Sequence, residues 1–312
     1  MSRTPLLLAA LLIALGGCRR APDPAPTLHQ IHIVGSSAAY PFSTTAAERL
    51  MREEADALAP LVRAGGTGEG IARFCDGYGP LHPDIVVATR DLTPDEARRC
   101  AANGIAHVAR VPLGFTALVL VTAKSAPDWS PTRDLLTRAI TTPVQRWSDL
   151  DPALAALPVR IEGPATDPTI ADGLFDQLLT PGHAAVRRDG AYKGHGADAE
   201  LVAQAVTATT GAIGILPYAQ AVAHAGTLRM LALDGIIPTP GNIASGLYPS
   251  SAPLLLLANS DEAPTVPGLP RLLGYYAEAL EPGGSFVARG LVPLPDAARV
   301  DAKRRLLSLE GH

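Results

Sequence analysis

The chain has 312 residues, of which 47% are hydrophobic, 18% charged and 4% aromatic, with 29 glycines and 29 prolines. This is the composition of a globular protein of one or two domains whose core is mostly Leu, Ala, Val and Ile. The net charge is −4, from 26 basic and 30 acidic residues scattered without runs, which excludes a nucleic-acid partner or an acidic membrane surface read through a basic patch.

The chain opens with Arg3, an apolar stretch from Pro5 to Leu15, and then Gly16-Gly17-Cys18. The stretch is too short to span a hydrocarbon core, which needs roughly 20 residues in a helix. A short apolar run before small residues reads as a secretion signal over 1–17. Leu15-Gly16-Gly17-Cys18 resembles a bacterial lipobox, and that resemblance implies that Cys18 becomes the acylated first residue of the mature protein. An ordinary signal peptide with an incidental cysteine is the alternative. Proline alternates with small residues after Cys18, so 18–28 is expected to be a tether to a membrane surface. In that exported context Cys75 and Cys100 are expected to form a disulfide; two buried free thiols are the alternative. Neither lies in a CxxC pair, so no zinc site is expected, and no cofactor is called for.

The remaining chain alternates strands and helices. A strand is expected over 31–34, closed by Gly35-Ser36-Ser37, then a helix over 41–58 with Pro41 in its first turn. A strand over 61–63 leads into a glycine-rich turn, Gly65 to Gly70, and a helix over 71–75. The run 84–88 (DIVVA) is apolar throughout its centre, as buried parallel strands are. Thr93-Pro94-Asp95-Glu96 starts a helix and Asn103-Gly104 stops it. The long β-rich run 108–122 is a crossover between two lobes. Helices over 134–140, 171–179 and 199–208 and strands over 159–162 and 212–216 make up a second lobe of 113–222. Strands over 228–233 and 254–258 and a helix over 269–280 return to the first lobe, 29–112 plus 223–312. The fold class expected is α/β, two-lobed, with mainly parallel sheets flanked by helices and a ligand cleft between the lobes.

In alternating α/β sheets, ligands bind beyond the carboxyl ends of strands, where helix N-termini present free N–H groups. Three such turns are rich in small and hydroxyl residues: Gly35-Ser36-Ser37, Gly66-Thr67-Gly68 and Thr89-Arg90. Small residues let the backbone approach a compact anion, hydroxyls donate to it, and a helix N-terminus favours negative charge.

These residues carry a resemblance. IVGSSAAYPF (33–42), GEGIARFCDG (68–77) and DIVVATR (84–90) are similar to the opening motifs of the phosphate ABC transporter's periplasmic substrate-binding proteins. Trp147-Ser148-Asp149-Leu150, Ile161-Glu162-Gly163-Pro164, Ile213-Gly214-Ile215 and Tyr248-Pro249-Ser250-Ser251-Ala252-Pro253 follow in family order. The resemblance covers 30–290 and includes the positions of Cys75 and Cys100. It implies a type II periplasmic binding protein with phosphate or a similar oxyanion between its lobes and an ABC permease as partner. It carries Ser36, Ser37, Thr67, Gly68 and Arg90 over as ligand residues.

The fourth loop departs from the family. Where the family reads SGTRDAF, this chain has Thr169-Ile170-Ala171-Asp172-Gly173-Leu174-Phe175. Thr169 keeps a hydroxyl, Asp172 stands at the arginine position, and Ala252 replaces an arginine further on. A unit charge pair at 4 Å is worth roughly 4 kcal/mol at an effective dielectric of 20, so exchanging a cation for Asp172 weakens anion binding unless the carboxylate accepts a proton from a protonated phosphate.

Nothing in the sequence asks for an enzyme: it has no GxSxG, no HExxH and no Cys/His pairing of known spacing. His29 and His32 are expected on opposite faces of a strand, His183 and His195 at the surface, and Asp84, Asp91 and Asp95 in local caps. Two functions follow. One is a lipid-anchored periplasmic solute-binding protein for ABC-type uptake. The other is a lipoprotein on the same fold acting as sensor, scaffold or secretion accessory. Arg19 after the acylated cysteine favours the outer membrane by analogy with bacterial sorting rules.

Overall fold

The computed structural model describes residues 29–166, 173–179 and 185–309. The secretion signal, Cys18, the tether, His183, Thr169 and Asp172 lie outside the described residues.

The first segment runs β1 (His32–Gly35), α1 (Tyr40–Glu53), β2 (Leu61–Ala64), α2 (Thr67–Phe74), β3 (Ile85–Ala88) and α3 (Pro94–Ala102). The crossover strand β4 (Val108–Ala123) then leads to α4 (Arg133–Thr141), β5 (Ile161–Gly163), α5 (Leu174–Leu178), β6 (Tyr192–Gly194), α6 (Ala199–Ala208) and β7 (Ile213–Pro217). There follow α7 (Tyr218–Ala223), β8 (Leu228–Met230), α8 (Pro240–Ala244), β9 (Ser251–Asn259), α9 (Leu269–Ala279), α10 (Ser285–Ala288) and α11 (Asp296–Ser308).

The strands join in the order β2-β1-β3-β9-β4-β7-β5-β6, with β8 beside β4. Away from the crossover, pairing is parallel: β1 with β2 and β3, and β5 with β6 and β7. Every antiparallel pair involves β4 or β9. The first half of β4, up to Ala117, pairs with β9, and from Leu118 it pairs with β7. One strand therefore threads both lobes.

Separate cores form on the two sides of that point. Phe42, Tyr276 and Phe286 stack in the first lobe, with Tyr276–Phe286 centroids 5.2 Å apart, and the buried Tyr276 hydroxyl donates to Ser43 Oγ at 2.8 Å. Trp147, Phe175, Tyr192 and Tyr248 anchor the second core. A third cluster under β3 gathers Ile71, Phe74, Val86, Ile105 and the disulfide Cys75–Cys100, whose α-carbons are 4.1 Å apart. The bond links the end of α2 to α3, which begins with Thr93 and Glu96 closing a capping box.

The structure changes several expectations. α1 ends at Glu53, because Glu54 is already extended and the backbone before Pro60 must enter β2. α2 begins at Thr67, so Gly68 and Gly70 are helical; a Cβ on Gly70 would lie 3.3 Å from the Gly35 α-carbon, and glycine lets α2 sit close on β1. The strand expected in the first lobe over 228–233 is β8, which pairs with Val121–Ala123 of β4, and Leu228, Leu231 and Leu233 fill the second core. The second lobe thus extends past residue 222 to the start of β9. Periodicity marks a strand but not the sheet it joins.

Replacing Cys75 and Cys100 together by alanine is expected to lower stability by about 3 kcal/mol, the entropy of the opened loop. Urea unfolding of the double variant, and of wild type with and without reductant, measures it; wild type insensitive to reductant would refute the bond's contribution.

Candidate functional site

The registers aim both sheets at the middle of β4. β3 runs from Ile85 opposite Ala258 to Ala88 opposite Leu255, toward the end of β9 that meets Ala117 of β4. β7 ends at Pro217 opposite Leu118. With β1 and β2 parallel to β3, and β5 and β6 parallel to β7, the carboxyl ends of both lobes point toward Ala117–Leu118. Loops that leave those ends are where an interlobe ligand would be held.

Three first-lobe turns are stitched together there. Ser36 N–H donates to Val87 O at 2.9 Å, and Gly66 N–H donates to Gly35 O at 2.9 Å. Gly35 is required by close approach, since a Cβ would lie 2.1 Å from Val87 O. Ser36 is buried and caps the short 3-10 turn Ser37–Ala39, its Oγ accepting from Ala38 N–H at 3.1 Å; Ser37 is half-buried beside it. Thr67 opens α2, and Gly66 before it brings no side chain to cap that helix. A Cβ built on Gly68 would meet nothing within 4 Å among the described residues.

Thr89 completes the cluster. Its N–H donates to Thr67 Oγ1 at 3.0 Å, and the two buried hydroxyls are 3.0 Å apart. The sequence put weight on the arginine of this turn, whereas the buried contact is made by its threonine. A hydroxyl directly after an apolar strand was the available signal.

Arg90 pairs with an acid of α3. Its guanidinium forks onto Glu96, Nη1 to Oε2 at 2.7 Å and Nη2 to Oε1 at 2.9 Å, and Nη1 also donates to Asp91 O at 2.9 Å. Glu96 accepts as well from Thr93 N–H at 2.8 Å, so one carboxylate serves both capping box and fork. Donation to Glu96 raises the Arg90 pKa, and Arg90 in turn holds Glu96 below the usual carboxylate range. A depressed carboxylate stabilises the fold above its ordinary pKa, and that contribution is lost as pH falls through the depressed value.

Asp84, expected in a local cap, instead makes long-range bonds. Buried Asp84 accepts from His32 N–H at 2.7 Å and pairs with His29 Nε2 at 2.9 Å, tying the start of the described chain to β3. Burial raises the Asp84 pKa and lowers that of His32. Asp91 pairs with Arg110 and Asp95 with Arg98 on the surface. His195, expected at the surface, is half-buried, its Nε2 2.6 Å from Glu162 Oε2. Ala252 lies buried on β9 opposite Thr116. Among the described residues no cluster of His, Cys, Asp or Glu could hold a metal, and no helix is long and apolar enough to cross a membrane.

The family model described as a PBP superfamily domain matches residues 21–277. The chain belongs to that superfamily. Among curated proteins it is similar to the phosphate-binding protein PstS of Bacillus subtilis (strain 168), 26% identical over 220 residues, covering 70% of this chain and 66% of that protein. The match thus spans just under two thirds of that relative's length. Among solved structures it is similar to a possible phosphate binding protein from Planctomyces limnophilus DSM 3776, with a TM-score of 0.64 and 22% identity over 90% of this chain and 98% of that one. It is also similar to an ABC-type phosphate transport receptor from Vibrio cholerae, with a TM-score of 0.60 and 19% identity over 85% and 100%. These likenesses show the two-lobed α/β fold of the superfamily member.

Thr67→Val is expected to cost roughly 1–3 kcal/mol, because it strands the buried Thr89 N–H, while Thr67→Ser keeps the acceptor and most of the stability. Urea denaturation of the pair tests this; a Thr67→Val variant as stable as wild type would show that the hydroxyl contributes nothing.

Proposed function

We propose that this protein is a periplasmic solute receptor that takes phosphate or a similar small oxyanion between its lobes and delivers it to an ABC permease. The convergence of the Ser36-Ser37, Thr67-Gly68 and Thr89-Arg90 turns at the ends of β1, β2 and β3 supports this reading most. A helix N-terminus whose N-cap is glycine, set among small and hydroxyl residues, would suit a dehydrated anion. Negative net charge is compatible with that, since local dipoles rather than the overall field hold the ligand. Thr169 and Asp172 would approach from the second lobe, with Asp172 either repelling the anion or accepting its proton. Lobe closure would bend β4 and β9 at the crossover. Acylation of Cys18 would hold the receptor on a membrane, with the outer membrane favoured.

A second reading keeps the fold for a sensor, scaffold or secretion accessory. The fork that commits Arg90 to Glu96 favours it, because a paired guanidinium attracts an anion less strongly.

Calorimetric titration with phosphate, sulfate, arsenate and small carboxylates separates the two. Phosphate is expected to bind. Arg90→Ala should weaken it by roughly a hundredfold or more, and Asp172→Arg should strengthen it by about an order of magnitude. Weaker binding in Asp172→Arg would make Asp172 a proton acceptor from the ligand. No anion binding by wild type would leave the scaffold reading.

Mass spectrometry of the protein purified from cells is expected to find acylated Cys18 at the N-terminus; an unmodified Cys18 or another N-terminus would remove the anchor.

A further inference from the structure

Arg90 follows Thr89 at the carboxyl end of β3, next to the contact between Thr89 and Thr67. A guanidinium carries five N–H groups in one fixed plane. Three of them are engaged here: Nη1 donates to Glu96 Oε2 and to Asp91 O, and Nη2 donates to Glu96 Oε1. Among the described residues Arg90 makes no other bond. Nη1 is the nitrogen on the Cδ side of the group, so the two remaining N–H bonds, on Nε and Nη2, run side by side along the opposite edge. That edge can take two oxygens of one carboxylate or phosphate at once. The Arg90 side chain is 43% exposed, so a ligand can reach it.

The acceptors on the engaged edge are themselves fixed. Glu96 accepts from Thr93 N–H at 2.8 Å, and its own N–H donates to Thr93 Oγ1 at 3.2 Å. The helix start therefore sets the carboxylate independently of Arg90. Asp91 is held as well, its Oδ1 accepting from Leu92 N–H at 2.6 Å and from Arg110 Nε at 2.8 Å. A long, flexible side chain is thus gripped at its tip by two anchored groups.

We infer that Glu96 is a positioning residue for anion capture, its fork holding the Nε–Nη2 edge of Arg90 ready for an oxyanion at the end of β3. The inference deepens the receptor reading and rests on it. Fork and anion use different hydrogens and do not exclude each other. The Glu96 charge opposes an incoming anion, but for an exposed pair that repulsion is screened. Against it stands the gain that an arginine already held has little rotamer freedom left to lose on binding. Glu96→Asp separates the two effects, because it keeps the charge and shortens the reach by one methylene.

Phosphate calorimetry and Nε–H relaxation of Arg90, both on the full protein purified from cells, test the inference. Glu96→Asp is expected to weaken phosphate binding roughly three- to tenfold, the scale of ordering one long side chain. It should also turn Arg90 Nε–H from rigid to mobile on the picosecond-to-nanosecond timescale. In an Arg90→Ala background the same change should cost no further affinity. Thr93→Ala removes the cap hydroxyl but keeps the backbone N–H that holds Glu96, and it should bind phosphate as wild type does. Equal or tighter binding by Glu96→Asp overturns the inference, as does a mobile Arg90 in wild type. A loss that persists in the Arg90→Ala background, or is matched by Thr93→Ala, overturns it too, by tracing the effect to something other than the fork. Wild type that binds no phosphate fails at the first titration; the receptor reading then falls, and this role for Glu96 falls with it.

Discussion

β4 pairs with two different partners along its length, and the rest of the molecule is arranged around the place where it changes them. Up to Ala117 its neighbour is β9; from Leu118 it is β7, with β8 on its other side. A strand bonded on both sides cannot slide, so the relative position of the lobes is set by twist and bending near one short stretch. Several contacts reinforce that stretch. Phe115 exchanges backbone bonds with Val292, Gly114 leaves no room for a Cβ against Val292 O, and Ser250 Oγ donates to Leu118 O at 2.5 Å. The same stretch is where the carboxyl ends of both sheets point.

The two lobes stabilise their cleft-facing loops by different physics. In the first lobe the turns are held by backbone-to-backbone and hydroxyl bonds at distances only glycine permits, as at Gly35 over Val87 O. In the second lobe the ends of β5 and β6 are tied by the Glu162–His195 pair and by Tyr192, whose phenol is pushed well above its ordinary pKa by burial and by the nearby carboxylate. That phenol stays protonated and keeps donating to Pro164 O.

Much of this was legible in the residues. Apolar runs flanked by glycine and hydroxyl residues located β1 and β3 to within a residue, because a strand buried on both faces has little freedom in composition. The capping box at Thr93 and the helix Ala199–Ala208 were equally plain, since both are set by local chemistry. What local pattern cannot encode is partnership. The run 228–233 looks like any short strand, and only the free edge of β4 decides that it joins the second lobe. Arg90 reads as a cation for an anion, but Glu96, one turn into α3, already serves the Thr93 cap and takes the guanidinium too. His195 lies in a glycine-rich polar stretch that reads as surface. Its burial follows from Glu162, a residue 33 positions away.

The chain order of the strands has a consequence for how the molecule comes together. β3 pairs with β9, Ile85 opposite Ala258, so the first lobe's sheet cannot be completed until the whole second lobe has been made. Closing so long a loop costs entropy before the contacts repay it, and topologies rich in such pairings fold slowly. Meanwhile β3, whose Ile85, Val86, Val87 and Ala88 are all buried at the end, waits with an open, apolar edge. An exposed edge of that kind recruits strands from other chains. Nascent molecules are therefore most vulnerable to aggregation between synthesis of β3 and arrival of β9, and a holdase that shields an extended apolar segment would act in that interval.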